Sequence, residues 1–348
     1  MTGIRALGVA RSVVAVTLAV TLVACGPPER SVPLVVHSTL PAEVLAHAEQ
    51  VFESDFPIVD VRMVTSTPEA TLEALRAGQA RIDVWWGAPS TALETAADEG
   101  LLAAYQPPWL RQPGVGQPDP EGRWQVSMIS PFVIAFNRER VPLAEAPTDW
   151  VDLFHHGWAE EVVLLDPLAS PDMAEFVSAM IVEALRDDDD LQRGFDWHLR
   201  LDGAAGGYTR DPADAIGRLE SGEASMTILP RHVVEDARHG DAPWIHYRLP
   251  TSGSPMLSRG VAVTGATPEP ELSRVFVDLT GTMDVGTVAR LHTRWMPGHG
   301  DVDLSRLPED FEIDMQWRPL PLAPDTIARE MAGWIDRWEL EVRDQGGG

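Results

Sequence analysis

The sequence predicts an α/β protein built from mainly parallel sheets that are flanked by helices. Short apolar segments of strand length alternate with segments of helical periodicity along most of the chain, and this order is typical of parallel βαβ units. The chain has 348 residues, of which 44% are hydrophobic, so it is long enough for a large core and, by size, for about two lobes. Cys25 is its single cysteine, so the fold must depend on apolar cores rather than on disulfides or a thiolate metal site.

The first third of the chain contains three predicted strand–helix pairs. The Thr67-Pro68 pair is a common start for a helix, here one that buries Leu72 and Leu75. After Leu102 the chain is rich in proline, glycine and tryptophan, which indicates either a surface excursion or part of a crossing between lobes. We expect strands at 34–37, 58–64 and 82–86, and helices at 41–56, from 68 onward, and at 91–102.

The rest of the chain continues the alternation. Asp211-Pro212 combines an N-cap residue with a proline at the first helical position. We expect strands at 131–136, 161–165, 224–229, 244–249 and 260–263, and helices at 172–185, from 212 onward, at 272–279 and at 327–342.

The N-terminus carries an export signal. Arg5 and Arg11 precede an apolar run at 13–23 that ends in Leu22-Val23-Ala24-Cys25, and the run is shorter than the ~20 residues that cross a bilayer. Its end resembles a bacterial lipobox, which implies cleavage before Cys25 and acylation of that residue. We therefore expect a signal peptide at 1–24, an anchor linker at 25–32 and a lipid-anchored protein outside the cytoplasm. An ordinary signal peptide or a short membrane helix is the alternative.

The chain is strongly acidic. Its net charge is −26, and loss of the two arginines in residues 1–24 would make it −28. All 27 basic residues are arginine. Such a charge opposes binding to nucleic acids and to anionic membrane surfaces, because phosphate contacts need clustered cations. Any anionic ligand must therefore be held by local groups.

Seven short segments occur in an order that is characteristic of one family. They are Val35–Pro41, Ala80–Gly87, Gly122–Trp124, Phe136-Asn137, Leu165–Ser170, Leu219–Ala224 and Arg259–Val263. Together with the lipobox they resemble the extracellular solute-binding proteins of bacterial ABC importers, in the branch that includes ferric-ion, thiamine, polyamine, sugar-phosphate and phosphonate binders. The resemblance covers nearly the whole chain after the signal peptide.

The resemblance implies a two-lobed, periplasmic-binding-protein-like (type II) fold whose lobes are joined by hinge crossings. Lobe 1 is expected to contain residues 31–125 and 250–297, and lobe 2 residues 126–249 and 298–348. A monomer of this kind binds a small solute by lobe closure, without a cofactor or a bound metal, and presents it to ABC permease subunits driven by a separate ATPase.

Polar residues follow the predicted strands, at the carboxyl ends where open α/β sheets bind small ligands. Helix capping is the alternative role for each hydroxyl. Trp85 and Trp86 must face opposite ways, and we expect one of them, taken as Trp86, to line the cleft, with burial as the alternative. The candidate ligand residues of this group are Ser38, Thr39, Ser66, Thr67, Trp86, Gly87, Ser170 and Asp172.

Four further candidates carry positive charge or hydrogen-bond donors. Thr209-Arg210 resembles a ligand segment of the second lobe, and Arg210 is suited to bidentate binding of a carboxylate or phosphate, with a surface ion pair as the alternative. Ferric-ion binders of this branch carry adjacent tyrosines after the comparable Gly-Glu segment, where this chain reads Met226–His232 without a tyrosine. Arg231 and His232 offer hydrogen bonds or positive charge there instead. The sequence therefore favours an anionic or zwitterionic organic solute, whereas a metal site that uses His37 and Glu69 stays open.

Enzymatic sequence patterns are missing. His155-His156 has no second ligand pair at helical spacing, and neither Gly-x-Ser-x-Gly nor a P-loop occurs. We expect no enzymatic activity, and a secreted hydrolase is the alternative. A sensor or adhesion lipoprotein of the same fold is a third possibility, which neighbouring permease and ATPase genes would exclude.

Overall fold

The computed structural model describes residues 32–111, 119–298, 318–320, 323–343 and 345. The described chain contains eleven β-strands and ten α-helices in a mixed α/β arrangement, which confirms the predicted fold class. Within these residues, no helix is both long and apolar enough to span a bilayer. The predicted signal peptide, Cys25 and most of the anchor linker lie outside the described residues.

The strands are β1 Val32–Ser38, β2 Val59–Thr65, β3 Val84–Pro89, β4 Leu102–Ala103, β5 Gln125–Asn137, β6 Val162–Leu165, β7 Ala205–Thr209, β8 Met226–Pro230, β9 Ile245–Arg248, β10 Met256–Thr264 and β11 Met296–Pro297. The helices are α1 Ala42–Asp55, α2 Pro68–Ala77, α3 Ser90–Asp98, α4 Pro171–Asp188, α5 Leu191–Ala204, α6 Pro212–Ser221, α7 Arg231–His239, α8 Pro270–Thr280, α9 Met283–Thr293 and α10 Pro324–Glu341.

The strands form two sheet regions that share β5. In the first, β2, β1 and β3 run parallel, and β10 lies antiparallel between β3 and the first half of β5. In the second, β7, β6 and β8 run parallel, and the second half of β5 lies antiparallel between β8 and β9. We call the regions built on these two sheets lobe 1 and lobe 2.

Three chain segments meet where the lobes join. In β5, Pro131 pairs with Met256 of lobe 1, and the next residue, Phe132, pairs with Pro230 of lobe 2. The fully buried Ser254 donates its hydroxyl to the carbonyl of Phe132. Its backbone N–H donates to the carbonyl of Arg318 at 2.9 Å. The three crossings are thus hydrogen-bonded to one another. A change in the angle between the lobes must therefore move all three together.

The predicted strand at 131–136 is longer in the structure, since β5 begins at Gln125. Ser127, Ser130 and Pro131 interrupt the apolar pattern, and two hydrogen bonds explain why serines are tolerated inside. The Ser127 hydroxyl donates to the carbonyl of Arg259 at 3.1 Å, and Ser130 Oγ accepts the backbone N–H of His232 at 3.1 Å. Proline is tolerated because the strand changes partners at that point.

Trp85 and Trp86 lie on opposite faces of the lobe 1 sheet, as strand alternation requires. Trp85 belongs to the apolar cluster under α3, and Trp86 belongs to the main core, where its ring centroid is 6.0 Å from that of Phe276. The C-terminal helix α10 packs against α3 of lobe 1 and also against α4 of lobe 2. It therefore lies across both lobes.

Candidate ligand-binding cleft

The carboxyl ends of β1, β2 and β3 form the lobe 1 side of the cleft. The backbone N–H of Ser66 donates to the carbonyl of Ser38 at 3.0 Å, and the Thr39 hydroxyl donates to the carbonyl of Gly87 at 2.6 Å. Thr67 follows directly as the N-cap of α2. The structure therefore brings the predicted residues of three loops to one edge, because parallel strands end on the same side of a sheet.

Several of the predicted hydroxyls are engaged locally. Ser38 Oγ accepts the N–H of Leu40 at 3.1 Å, Thr67 Oγ1 caps α2, and Ser170 Oγ caps α4 by accepting the N–H of Met173 at 3.3 Å. Helix capping is the role that the sequence offered for these hydroxyls as the alternative to ligand binding. A capping hydroxyl retains a lone pair, so their role toward a ligand stays a prediction.

Three helices that start at the cleft follow a proline, which cannot cap a helix with its side chain. They are α1 after Pro41, α3 after Pro89 and α7 after Pro230, and in α7 the N–H of His232 donates instead to Ser130 Oγ at 3.1 Å. They begin after β1, β3 and β8, at strand ends of both lobes. Uncapped helix N-termini carry partial positive charge and favour anions.

On the lobe 2 side, β6 and β7 place their loops together. The N–H of Asp166 donates to the carbonyl of Thr209 at 2.8 Å. The loop after β6 therefore lies beside Thr209, whose hydroxyl is turned back to the carbonyl of Asp211 at 3.2 Å. Asp172 then lies in the first turn of α4.

Three contacts join the lobes across the cleft. Arg259 Nη2 of β10 lies 3.0 Å from Asp172 Oδ1. The Thr91 hydroxyl at the start of α3 donates to Glu175 Oε1 of α4 at 3.1 Å. The rings of His232 and Trp295 are 4.4 Å apart at 31°. The structure is therefore that of a closed pair of lobes.

Arg259 is the central cation of this contact. Its guanidinium carbon is 4.9 Å from the ring centroid of Trp295, within cation–π range. Only 16% of its side chain is exposed. Nη1 is buried and has no hydrogen-bond acceptor in the described chain, and such a donor gains free energy when an acceptor reaches it. The sequence indicated Arg259 only as part of a family segment, although a lone arginine within the apolar strand β10 is a usable signal of a functional residue.

Arg231 and His232 lie at the start of α7, a helix that the sequence did not predict, and their side chains make different contacts. Arg231 is buried, and it donates through Nε to Tyr247 Oη at 2.8 Å and through Nη2 to Glu235 Oε1 at 3.1 Å. Its charge is thus balanced inside lobe 2. His232 Nδ1 lies 3.0 Å from Ser130 Oγ. Burial, with the nearby arginines adding to it, lowers the pKa of His232 to about 3, so the imidazole is neutral near pH 7.

Glu175 is the titratable acid of the interlobe contact. Burial raises the pKa of its carboxyl to about 7, and Asp172 adds to the shift, whereas Arg259 and the Thr91 hydroxyl oppose it. A carboxyl with this pKa is partly protonated near neutral pH.

Comparison with known proteins identifies the family. Residues 87–279, more than half of the chain, match the family described as bacterial extracellular solute-binding protein. The chain belongs to this family. It is a solute-binding component of an ABC transporter and not an enzyme, as the sequence predicted. A probable ABC transporter periplasmic-binding protein of Sinorhizobium fredii is 24% identical over 269 residues, which cover 75% of this chain and 73% of the relative.

Solved structures share the fold of this solute-binding protein. Iron-bound HitA of Pseudomonas aeruginosa has a TM-score of 0.72 at 17% identity, over 88% of this chain and 99% of HitA. The Trichodesmium IdiA (FutA) protein with iron and citrate has a TM-score of 0.75 at 12% identity, over 88% and 98%. AfuA of Actinobacillus pleuropneumoniae with fructose-6-phosphate has a TM-score of 0.67 at 18% identity, over 90% and 99%.

Two predicted ligand residues of the solute-binding protein have other surroundings. Arg210 is exposed, and its side chain makes no hydrogen bond or ion pair with the described residues. Trp86 is 1% exposed and packs in the lobe 1 core. His37, one of the residues considered for a metal, lies 3.3 Å through Nδ1 from Thr71 Oγ1, and burial lowers its pKa. Among the described residues, no three His, Cys, Asp or Glu side chains are grouped to hold a metal ion.

Proposed function

We propose that this protein captures a small anionic or zwitterionic organic solute between its lobes and delivers it to the permease of an ABC importer. The observation that carries the proposal is Arg259, which reaches from β10 of lobe 1 to the first turn of α4 in lobe 2. Its Nη1 is a buried donor without an acceptor in the described chain. An anionic group of the solute would supply that acceptor with a charge-assisted hydrogen bond.

The surroundings of Arg259 support an anion. Trp295 covers its guanidinium, and the uncapped start of α3 adds positive potential from lobe 1. A solute that contacts both lobes only when they are closed stabilises the closed form by its differential affinity. No covalent step and no cofactor are needed. A separate ATPase subunit would supply the energy for transport.

A ferric ion is the alternative that the iron-bound structures suggest. The chemistry of the tyrosines opposes it. Tyr105 donates to Asp278 at 2.8 Å and Tyr208 to Asp202 at 2.5 Å, whereas Tyr247 bonds Arg231 and Glu235. Burial raises the pKa of Tyr105 and of Tyr247 to about 12, so these phenols do not readily become the phenolates that bind Fe(III).

The experiment is to purify the protein from its native source, denature it and identify the released solute by mass spectrometry, with metal analysis in parallel. An organic anion or zwitterion in stoichiometric amount is expected. The recovered compound is then titrated calorimetrically against wild-type protein and against Arg259→Gln, which should bind it much more weakly. Stoichiometric iron without an organic solute, or unchanged affinity in Arg259→Gln, would contradict the proposal.

We also propose that the protein is exported, processed before Cys25 and held at the cell envelope by a lipid on that residue, as a monomer facing the periplasm or the cell exterior. Its membership of an extracellular family supports this location. The lobe division at 31–125 with 250–297 and at 126–249 with 298–348 belongs to the same proposal, with β5 as a strand that both sheets share. Cys25→Ser should move the protein from the membrane fraction to the soluble fraction. If the variant stays in the membrane fraction, the lipid anchor is wrong.

A further inference from the structure

The imidazole of His232 lies at the interlobe contact, where its ring packs on that of Trp295 with centroids 4.4 Å apart. Nδ1 lies 3.0 Å from Ser130 Oγ. Nε2 has no hydrogen-bond partner in the described chain and is not fully enclosed. We propose that Ser130 is a positioning residue, which fixes His232 as an Nε2–H donor to an oxygen of the transported solute. The proposal rests on the function proposed above.

The hydroxyl of Ser130 has one acceptor for its proton. Ser130 is 1% exposed, and its Oγ accepts the backbone N–H of His232 at 3.1 Å. The other partner of Oγ in the described chain is His232 Nδ1. If Nδ1 carried a proton, Oγ would accept twice and its own proton would be buried without an acceptor, which costs about 1–3 kcal/mol. The Ser130 hydroxyl therefore donates to Nδ1, and Nδ1 is the unprotonated nitrogen.

The other ring nitrogen of His232 then carries the proton. A neutral imidazole has one N–H and one lone pair, and the lone pair of His232 accepts from Ser130. A cationic imidazole is disfavoured, because burial, with the charges of Arg259 and Arg231 adding to it, lowers the pKa of His232 to about 3. His232 is therefore a neutral Nε2–H donor near neutral pH.

The contacts of the ring set where this donor lies. Nε2 is across the imidazole from Nδ1, so it points away from Ser130 and β5, while one face of the ring is against Trp295 of lobe 1. The guanidinium carbon of Arg259 is 4.9 Å from the centroid of the same indole. His232 and Arg259 thus contact one aromatic ring from two lobes, one as a neutral donor and the other as a cation.

A neutral N–H donor beside a cation narrows the part of the solute that binds here. The ammonium group of a zwitterion cannot accept a hydrogen bond, whereas an anionic oxygen of a carboxylate or phosphate can, and the charge of Arg259 favours it. A metal ion needs a ring nitrogen with a free lone pair. His232 offers none, since Ser130 donates to Nδ1 and Nε2 is protonated. We therefore expect the anionic end of the solute at His232.

His198 supplies a matched reference inside lobe 2. It is also buried, and burial lowers its pKa to about 4. Its Nε2 donates to the carbonyl of Val177 at 3.1 Å, since a carbonyl can only accept. His198 therefore has the same tautomer that we infer for His232, but its N–H is already bonded within the protein. A solute should perturb the N–H of His232 and leave that of His198 unchanged.

The first test needs no ligand. In the full chain with 15N-labelled histidine, two-bond 1H–15N NMR spectra show which ring nitrogen carries the proton, and His232→Phe and His198→Phe assign the two imidazoles. We expect Nε2–H in both, without titration between about pH 5 and about pH 8. In Ser130→Ala the His232 proton should be shared between both nitrogens, and Ser130→Thr, which keeps a hydroxyl, should restore Nε2–H.

Two results would overturn the role of Ser130. One is a wild-type His232 whose proton is on Nδ1, and the other is a folded Ser130→Ala variant in which Nε2–H is unchanged. If Ser130→Ala does not fold, the wild-type and Ser130→Thr spectra decide the tautomer.

The second test separates the donor role from the proposed function. The organic anion identified by mass spectrometry is titrated against His232→Phe, which keeps a ring against Trp295, and against His198→Phe, after melting temperatures show that both fold. We expect a loss of roughly tenfold or more in affinity for His232→Phe alone, and in wild type a shift of the His232 Nε2–H resonance alone.

The two possible failures differ in their results. If Arg259→Gln weakens binding, His232→Phe does not and the His232 resonance stays in place, the donor role is wrong and the cleft function stands. If no organic anion is recovered, the cleft function fails and the donor role fails with it, whereas the spectra without ligand still decide the role of Ser130.

Discussion

The two lobes present different chemistry to the cleft between them. Lobe 1 supplies a cation and an aromatic ring, Arg259 and Trp295. Lobe 2 supplies two acids from the first two turns of α4, Asp172 and Glu175, and the neutral imidazole of His232. The difference suggests a division of work. For the function proposed above, we expect lobe 1 to recognise the charge of the solute and the acids of lobe 2 to set how readily the lobes close on it.

The largest expected effect tests the recognition half of this comparison. Arg259→Gln should weaken binding of the co-purified organic anion by roughly 100-fold, because a buried charge-assisted contact is lost. Isothermal titration calorimetry measures it. Arg210→Gln is the matched control, since Arg210 is exposed and its side chain makes no hydrogen bond or ion pair with the described residues. The affinity of this variant for the solute should be unchanged. Equal effects in the two variants would remove Arg259 from its central role.

The next effect concerns stability rather than recognition. Arg231→Met should lower the free energy of unfolding by roughly 3 kcal/mol, because it breaks a buried ion pair with Glu235. Arg238 remains 3.1 Å from the second oxygen of Glu235 and limits the loss. Urea unfolding measures it. A stable Arg231→Met variant with lost solute affinity would instead place Arg231 in the cleft, as the sequence suggested.

The acids of lobe 2 predict a pH effect of definite sign. Burial raises the pKa of Glu175 from 4.5 to about 7, so the closed form binds a proton more tightly than an exposed glutamate does. Its contribution to stability is present below pH 4.5 and is lost as the pH rises to about 7. The side chain in Glu175→Gln mimics the protonated acid. As the pH rises to about 7, this variant should therefore lose less stability than wild type.

Melting temperatures of wild type and Glu175→Gln between about pH 5 and about pH 8 measure this difference. Burial lowers the pKa values of His198 and His232 to about 4 and about 3, so these two histidines make the protein more stable as the pH rises. Both proteins contain them, so their contribution cancels in the difference between the two melting temperatures. The carboxyl of Glu175 faces Arg259, Asp172 and Thr91. A constant difference across this range would show that Glu175 does not titrate with closure.

The smallest effect concerns the hydrogen bond that joins α3 to α4. Thr91→Val removes the donor to Glu175 and should destabilise the closed form by about 1 kcal/mol, which small-angle scattering and melting temperature can detect. Thr95→Val is the control, since the Thr95 hydroxyl bonds only within α3, to the carbonyl of Thr91 at 2.9 Å. Equal shifts in both variants would mean that the interlobe bond contributes nothing.

Local signals in the sequence predicted much of the fold and missed particular parts of it. The sequence did not predict helix α7, because its two valines, Val233 and Val234, are adjacent. Adjacent residues do not produce the spacing of three or four residues between apolar side chains that indicates an amphipathic helix. With α7 unrecognised, the spacing of four between Arg231 and Glu235 could not be read as an ion pair on one helix face. Arg231 was therefore assigned to the ligand, although its donors serve Glu235 and Tyr247.

The sequence by itself determined the alternation of strands and helices, the opposite facing of Trp85 and Trp86, and the gathering of Ser38, Ser66 and Gly87 at one edge. Strand periodicity and the common direction of parallel strands are local rules, so residue order is enough to apply them. Only the tertiary structure decided that Arg259 meets Asp172 across the cleft, 87 residues away in the chain. Contacts between lobes depend on the packing of the whole chain around its crossings, and no local pattern of residues encodes which charged side chains will meet there.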